Sequence, residues 1–309
     1  MLAEEAALKI LSMEIRGAAK IARTAAQALV EEAKASRCTT AGDLKKELKA
    51  KAKILKETRP TAISLRNGIF FTLQGIWNLD EMDAIKAKVI SNGEDFVQSS
   101  LTALDRIGEI GSNRIRDRAK VLTHCNSSAA LAAIIHAYEN GKNVEVFATE
   151  SRPWRQGLLT VKQLADHGIP ATLIIDSAVR YFMREVDVVI VGADTVTANG
   201  AVINKIGTSQ VALCAHEARV PFMVCAETYK FSPETAEGEM VDIEERDTKE
   251  IAELELEDVQ IRNPVFDATP AEYIDSIITE RGLIAPHAAQ SIIRELFGDV
   301  FGKEDINWL

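Results

Sequence analysis

The sequence predicts an α/β protein, with a helical amino-terminal domain over 1–117 and a Rossmann-like parallel-sheet domain over 118–309. Three observations carry that expectation. Up to about residue 115, Ala, Leu, Glu and Lys dominate, Gly and Pro are sparse, and apolar residues recur at helical spacing. From about 118, short β-rich runs alternate with stretches that hold helices, the pattern of parallel βαβ units. The 309 residues suffice for two domains or one large one, and 47% hydrophobic with 27% charged residues is ordinary for a globular chain.

Taken in order, Ile15, Ala18, Ala19, Ala22, Ala26 and Leu29 line one face of a first helix. A second amphipathic helix begins after Gly42 and ends at Thr58-Arg59-Pro60-Thr61, because proline disfavours helix at the residue before it. Leu65–Trp77 reads as a more buried helix, and Glu81–Leu104 as another, interrupted near Asn92-Gly93. Strands are expected at Lys120–His124, Val144–Thr149, Ala171–Asp176, Asp187–Val191 and Pro221–Cys225, with helices over 127–140, 157–167, 177–185 and 205–219. Thr269–Arg281 and Pro286–Phe297 read as helical again.

Composition excludes several function classes. No run approaches eighteen apolar residues and the first five residues lack the regions of a signal peptide, so a cytoplasmic protein without membrane partners is expected. Cysteines at 38, 125, 214 and 225 form neither a CxxC pair nor a Cys/His spacing, so no disulfide framework and no metal site is expected. The net charge of −10 is concentrated in 234–258, where twelve acidic residues face only Arg246 and Lys249, a segment that reads as a solvated acidic loop. A chain with no basic stripe is a poor nucleic-acid binder.

In an open α/β sheet, ligands bind outside the carboxyl ends of the strands. Cys125 follows the strand Val121–His124, and Asp194 follows Val186–Gly192, so the two are a candidate acid/base pair. A helix N-terminus formed by Asn126, Ser127 and Ser128 would lower the thiol pKa and would suit a phosphate. The plainer roles are a small buried hydrophobe for Cys125 and a helix cap or turn residue for Asp194. Lys205 could hold an anion or be a solvated surface lysine. The glycines at 192, 200 and 207 make neither GxGxxG nor a Walker A loop, and no cofactor is expected. His124 beside Cys125 does not form a Cys/His nucleophile, since neighbours in a strand face opposite ways.

Together, Cys125, Asp194, Glu150-Ser151-Arg152-Pro153, Asp176-Ser177-Ala178-Val179, Gly192-Ala193-Asp194, Asn204-Lys205-Ile206-Gly207-Thr208 and Ala226-Glu227-Thr228-Tyr229-Lys230-Phe231 resemble the family that joins regulatory subunits of initiation factor 2B with sugar-phosphate isomerases. The resemblance spans essentially the whole chain. Regulatory subunits generally lack the cysteine and carry glutamate in place of Asp194, so both residues favour an enzyme. Arg16-Gly17-Ala18-Ala19 and His124-Cys125-Asn126-Ser127-Ser128 are similar to the archaeal sugar-bisphosphate branch, whereas methylthioribose-1-phosphate isomerases have Arg-Gly-Ala-Pro-like and Cys-Asn-Ala/Thr-Gly-like segments.

That resemblance implies interconversion of ribose 1,5-bisphosphate and ribulose 1,5-bisphosphate in nucleoside-monophosphate metabolism. Cys125 would be the proton acceptor and Asp194 the proton donor. Arg16, Gly17, Ala18, Ala19, Arg59, Ser127, Ser128, Asn204, Lys205 and Lys230 would bind the substrate. It also implies a homohexamer built as a trimer of dimers, with AMP as activator. The alternatives are a methylthioribose-1-phosphate isomerase and a non-catalytic initiation-factor subunit.

Overall fold

Apolar residues at three- and four-residue spacing fold the first hundred residues into α1 (Ala3–Leu11), α2 (Ala18–Ala35), α3 (Ala41–Thr58), α4 (Ile63–Leu73) and the greater part of α5 (Met82–Ser112). The computed structural model describes residues 1–15, 17–235, 241, 243–253 and 258–298. Thr40 caps α3 by accepting the Asp43 N–H at 3.1 Å, and the helix stops at Arg59, the residue before Pro60. Leu29, Leu44, Leu48, Leu55, Leu65, Ile69 and Leu73 are fully buried together in this helical core.

Helix α5 is continuous where an interruption near Asn92-Gly93 is expected. Glycine serves packing there: a Cβ on Gly93 would lie 2.3 Å from Val30 Cγ2, so only a bare Cα lets α5 approach α2.

The remainder of the chain alternates β1 (Lys120–Thr123), α6 (Ser128–Glu139), β2 (Glu145–Thr149), α7 (Gly157–Asp166), β3 (Ala171–Ile174), α8 (Val179–Phe182) and β4 (Val188–Gly192). After β5 (Thr195–Val196) and β6 (Val202–Lys205) come α9 (Thr208–Ala218), β7 (Phe222–Cys225), β8 (Phe266–Thr269), β9 (Ser276–Thr279), β10 (Gly282–Ile284) and α10 (Ala289–Phe297). The main sheet has seven strands in the order β10-β9-β7-β4-β1-β2-β3, all parallel except β10, which runs antiparallel to β9. Its six parallel strands, numbered among themselves along the chain, read 3-2-1-4-5-6, the doubly wound order. Strand direction of progression reverses between β1 and β4.

Two expectations are corrected. Thr269–Arg281 is not an α-helix: a single 3-10 turn at Ala271–Tyr273 leads into β9, with Ile277 and Ile278 fully buried, and a short apolar run of this kind reads the same in a buried helix as in a central strand. Lys205 does not open a helix. It ends β6, which pairs with β5 and β8 in a separate three-stranded antiparallel sheet, and α9 starts only after Gly207 turns the chain at φ +100°.

The chain packs as two units, Met1–Thr102 with the stretch from Arg294, and Ala103–Ile293. The division falls inside α5 and not at 117/118, because Ile85 and Val89 of that helix belong to the first core and Ile107 to the second. Among the described residues no helix is long and apolar enough to cross a membrane.

Candidate active site

The reversal between β1 and β4 places the residues that follow each strand at one crevice of the second unit. Cys125 turns the chain out of β1 in the left-handed region at φ 67°, a conformation that costs a non-glycine residue about 1–3 kcal/mol and that its surroundings must hold. Its N–H donates to Ser151 Oγ at 2.8 Å, and its half-buried thiol donates to Gln156 Oε1 at 3.2 Å. Ser151 follows β2, also at positive φ, and its N–H and that of Arg152 each donate to the Asp176 carboxylate at 2.8 Å. Asp176 follows β3. Three strand ends are thereby tied into one loop cluster around the thiol.

Ser127 caps α6 by accepting the Ala130 N–H, and Ser128 is the exposed first residue of that helix. Across the crevice, a Cβ on Gly192 would fall 2.2 Å from Ser127 Oγ, so a glycine at the end of β4 admits the α6 N-terminus. Asp194 comes two residues later, half-buried, with its N–H donating to Ile203 O at 2.9 Å. Asn204 and Lys205 are on β6. Asn204 is buried and donates to Thr208 Oγ1 at 3.0 Å, while the Lys205 ammonium is 5.2 Å from the centre of the Phe266 ring.

Electrostatics link three of these side chains. Burial pushes the Cys125 thiol up to about 11, Lys205 opposes that rise, and Asp194 and Asp176 add to it. Burial likewise pulls the Lys205 ammonium down, and Cys125 and Asp194 counter the effect. The lowered thiol pKa expected from the α6 N-terminus is therefore corrected: the Asn126 N–H does act in that direction, but loss of solvent outweighs it. In the substrate-free protein, alkylation of Cys125 by iodoacetamide, followed on its peptide by mass spectrometry, is expected to rise about tenfold per pH unit through pH 9 without levelling near the free-thiol value of about 8.5. A plateau below pH 9 would show that Lys205 outweighs burial.

Lys230 is in the second unit as well, but its ammonium is buried in an ion pair with Glu227 at 2.7 Å. Burial pushes the Glu227 carboxyl up, yet Lys230 and the Tyr229 hydroxyl hold it below the usual carboxylate range. The remaining candidates belong to the first unit. Gly17 precedes α2 at φ 90°, Ala18 and Ala19 are its first residues, and Arg59 approaches Met13 Sδ at 4.0 Å in the turn between α1 and α2. Arg16 lies outside the described residues.

Sequence reasoning missed the supports. His124 is buried and neutral, since burial lowers its pKa; its Nε2–H donates to Ile206 O at 2.8 Å and its Nδ1 accepts from Thr149 Oγ1 at 2.6 Å. Thr149 is in turn 3.2 Å from Ser151 Oγ, which receives the Cys125 N–H. This chain of contacts connects the turn after Lys205 to the backbone of Cys125. Asp267 accepts the N–H groups of Gly207 and Ser209, and burial pushes its carboxyl up to about 6. Gln156 had a faint signal in the glycine that follows it: a Cβ on Gly157 would lie 1.8 Å from Thr149 O, which forces α7 to begin against β2. Asp267 had none, because its partners are about 60 residues away.

The acidic segment is partly outside the described residues; over 243–253 it is exposed at 245, 247–249 and 251–253, as a solvated loop is, and it is also anchored. Asn263 donates to Asp247 O and to Glu250 Oε2, and Trp154 Nε1–H donates to the same Glu250 oxygen at 2.7 Å.

Comparison with known proteins is consistent across the chain. The model of the Initiation factor 2 subunit family matches residues 14–286. Ribose 1,5-bisphosphate isomerase of Archaeoglobus fulgidus is 56% identical over 298 residues, covering 95% of this chain and 93% of the relative. The protein of that name from Methanocaldococcus jannaschii is 52% identical over 292 residues, covering 94% of each. Among solved structures, 5-methylthioribose 1-phosphate isomerase of Pyrococcus horikoshii OT3 superposes with a TM-score of 0.78 at 30% identity, over 96% of this chain and 87% of that one.

Proposed function

This chain belongs to the Initiation factor 2 subunit family, and from that premise we propose that it is a ribose 1,5-bisphosphate isomerase, an intramolecular oxidoreductase that makes ribulose 1,5-bisphosphate. The observation that carries the reading is that Cys125 follows β1 and Asp194 follows β4, the neighbouring parallel strands at which the sheet order reverses, with Asp194 N–H bonded to Ile203 O of β6, the strand that carries Lys205. A regulatory subunit needs no such acid, base and cation in one place.

The substrate's C1 phosphate locks the sugar as a closed ring, so an aldehyde cannot form by simple opening. Asp194 protonates the ring oxygen as the C1–O bond breaks. Cys125, as thiolate, removes the C2 proton, which leaves an enol between C1 and C2. Return of that proton to C1, with loss of the O2 proton to Asp194, yields the ketone and restores both side chains. Asp194 protonated and Cys125 ionised is the reactive arrangement, and it removes the negative charge that otherwise opposes the thiolate. Lys205 steadies the thiolate and, with the α6 N-terminus at Ser127 and Ser128, receives phosphate. Asn204, beside Lys205 on β6, contributes a hydrogen bond to the substrate. The family resemblance also gives substrate contacts to Lys230, Arg16, Gly17, Ala18, Ala19 and Arg59.

In this reading the α/β unit, Ala103–Ile293, is the Rossmann-like catalytic domain of a cytoplasmic homohexamer, a trimer of dimers activated by AMP; the family resemblance supports these assignments. The decisive assay gives the purified protein ribose 1,5-bisphosphate and methylthioribose 1-phosphate side by side. Turnover of the first at a far higher kcat/KM is expected. Preference for the second, or turnover of neither, would overturn the reading.

A further inference from the structure

The part of the acidic segment that is described forms a strap with two anchorages. On one side, Arg246 N–H donates to Asn263 O at 3.0 Å and Val265 N–H donates to Glu244 O at 2.9 Å, which ties the strap to the chain entering β8, the strand paired with Lys205's own. On the other, Trp154 donates to Glu250 Oε2 and Arg152 Nη2 donates to Ile251 O at 3.3 Å, which ties it to the loop that reaches the thiol through Gln156. The strap therefore crosses from the lysine side of the crevice to the cysteine side.

Of the strap's two cations, Lys249 is exposed and Arg246 half-buried. The Arg246 guanidinium lies 5.5 Å from the Trp154 ring centre, and its Nε is 3.3 Å from Glu244 Oε1. Its side chain is 17% exposed, against 29% for that of Glu244. Arg246 and Glu244 both act electrostatically on Lys205, in opposite senses. A partly exposed ion pair between residues two apart gains little, whereas a guanidinium braced on an aromatic face meets a phosphate dianion with two parallel hydrogen bonds. Trp154 bears on Arg246 and, two residues along the same loop, Gln156 accepts from the Cys125 thiol, so one loop carries both contacts.

We propose that Arg246 exchanges Glu244 for the second phosphate of a sugar bisphosphate, and that this exchange selects doubly phosphorylated substrates over monophosphates. The inference rests on the isomerase reading and names the part of the site that sets its substrate class.

The test uses the full chain. Arg246→Met is expected to raise KM for ribose 1,5-bisphosphate by about 10- to 100-fold with kcat within about threefold, the loss of one charged hydrogen-bonding partner. Calorimetric affinity for ribose 1-phosphate, which lacks the second phosphate, should be unchanged. Glu244→Gln, which removes the competing carboxylate, should lower KM for the bisphosphate, and Arg246→Lys should fall between wild type and Arg246→Met. Unchanged KM in Arg246→Met, or equal weakening of both ligands, would overturn the proposal, as would a rise in KM in Glu244→Gln should the methionine variant fail to fold. Absence of bisphosphate turnover by the wild-type chain is a different result and bears on the isomerase reading, while calorimetry with ribulose 1,5-bisphosphate and ribose 1-phosphate still reads the role of Arg246.

Discussion

Cys125→Ser is expected to keep the fold and to lose isomerase turnover by about 10³-fold or more, the upper part of the range for removing a general base. Serine fits the site: it is close in size, it can occupy the same φ 67° backbone, and its N–H can still donate to Ser151. What it lacks is an ionisable group that can take a carbon-bound proton. Steady-state kinetics with ribose 1,5-bisphosphate, alongside circular dichroism to confirm folding, measures the effect. Turnover within a few-fold of wild type would remove Cys125 from the mechanism. The half-buried Cys214, on α9, is the control, and Cys214→Ser should leave turnover nearly intact.

The same variant separates proton transfer from a hydride shift. If the thiol carries hydrogen from C2 to C1 and water reaches the intermediate, turnover in deuterium oxide places deuterium at C1, and substrate labelled at C2 loses label. Full retention of label together with normal activity in Cys125→Ser would sink the cysteine-base mechanism. Retention alone would not, because a closed site shuttles one proton without exchange.

Asp194→Asn is expected to reduce kcat by about 10²- to 10⁴-fold with KM largely kept, since asparagine preserves size and some hydrogen bonding but donates no acidic proton. The variant carries a second, opposite signature. The Asp194 carboxylate raises the Cys125 thiol pKa, so its removal should make Cys125 react faster with iodoacetamide at pH 8–9 than in the wild type. Slower catalysis with a more reactive thiol identifies Asp194 as the acid. A KM that rises as steeply as kcat falls would make it a binding residue.

The strands that carry the chemistry were legible because each is a local signal. β1, β2, β3, β4 and β7 are short apolar runs separated by helical stretches, and Cys125, Asp176 and Asp194 stand just beyond their carboxyl ends, where ligands of such sheets are met. β6, β8 and β9 were not legible. β6 and β8 depend on pairing between Lys205 and Phe266, some sixty residues apart, and β9 is an apolar segment whose period is the same for a central strand and a buried helix. The interruption expected at Gly93 fails for a related reason: propensity penalises the glycine, while contact with Val30 requires it.

By itself, then, the sequence determined the α/β class, the order of the first strands, and which cysteine and which aspartate end them, since residue type and short-range period suffice for each. Only the tertiary structure decided the state of those residues. Burial raises the Cys125 thiol to about 11 where its local position at a helix N-terminus argues for a lower value, because desolvation is the sum of everything packed around the sulfur. Likewise, Lys230 is a buried partner of Glu227, and 243–253 is a strap pinned by Asn263 and Trp154. Charge and solvent exposure are properties of neighbours, and most of these neighbours are distant in the chain.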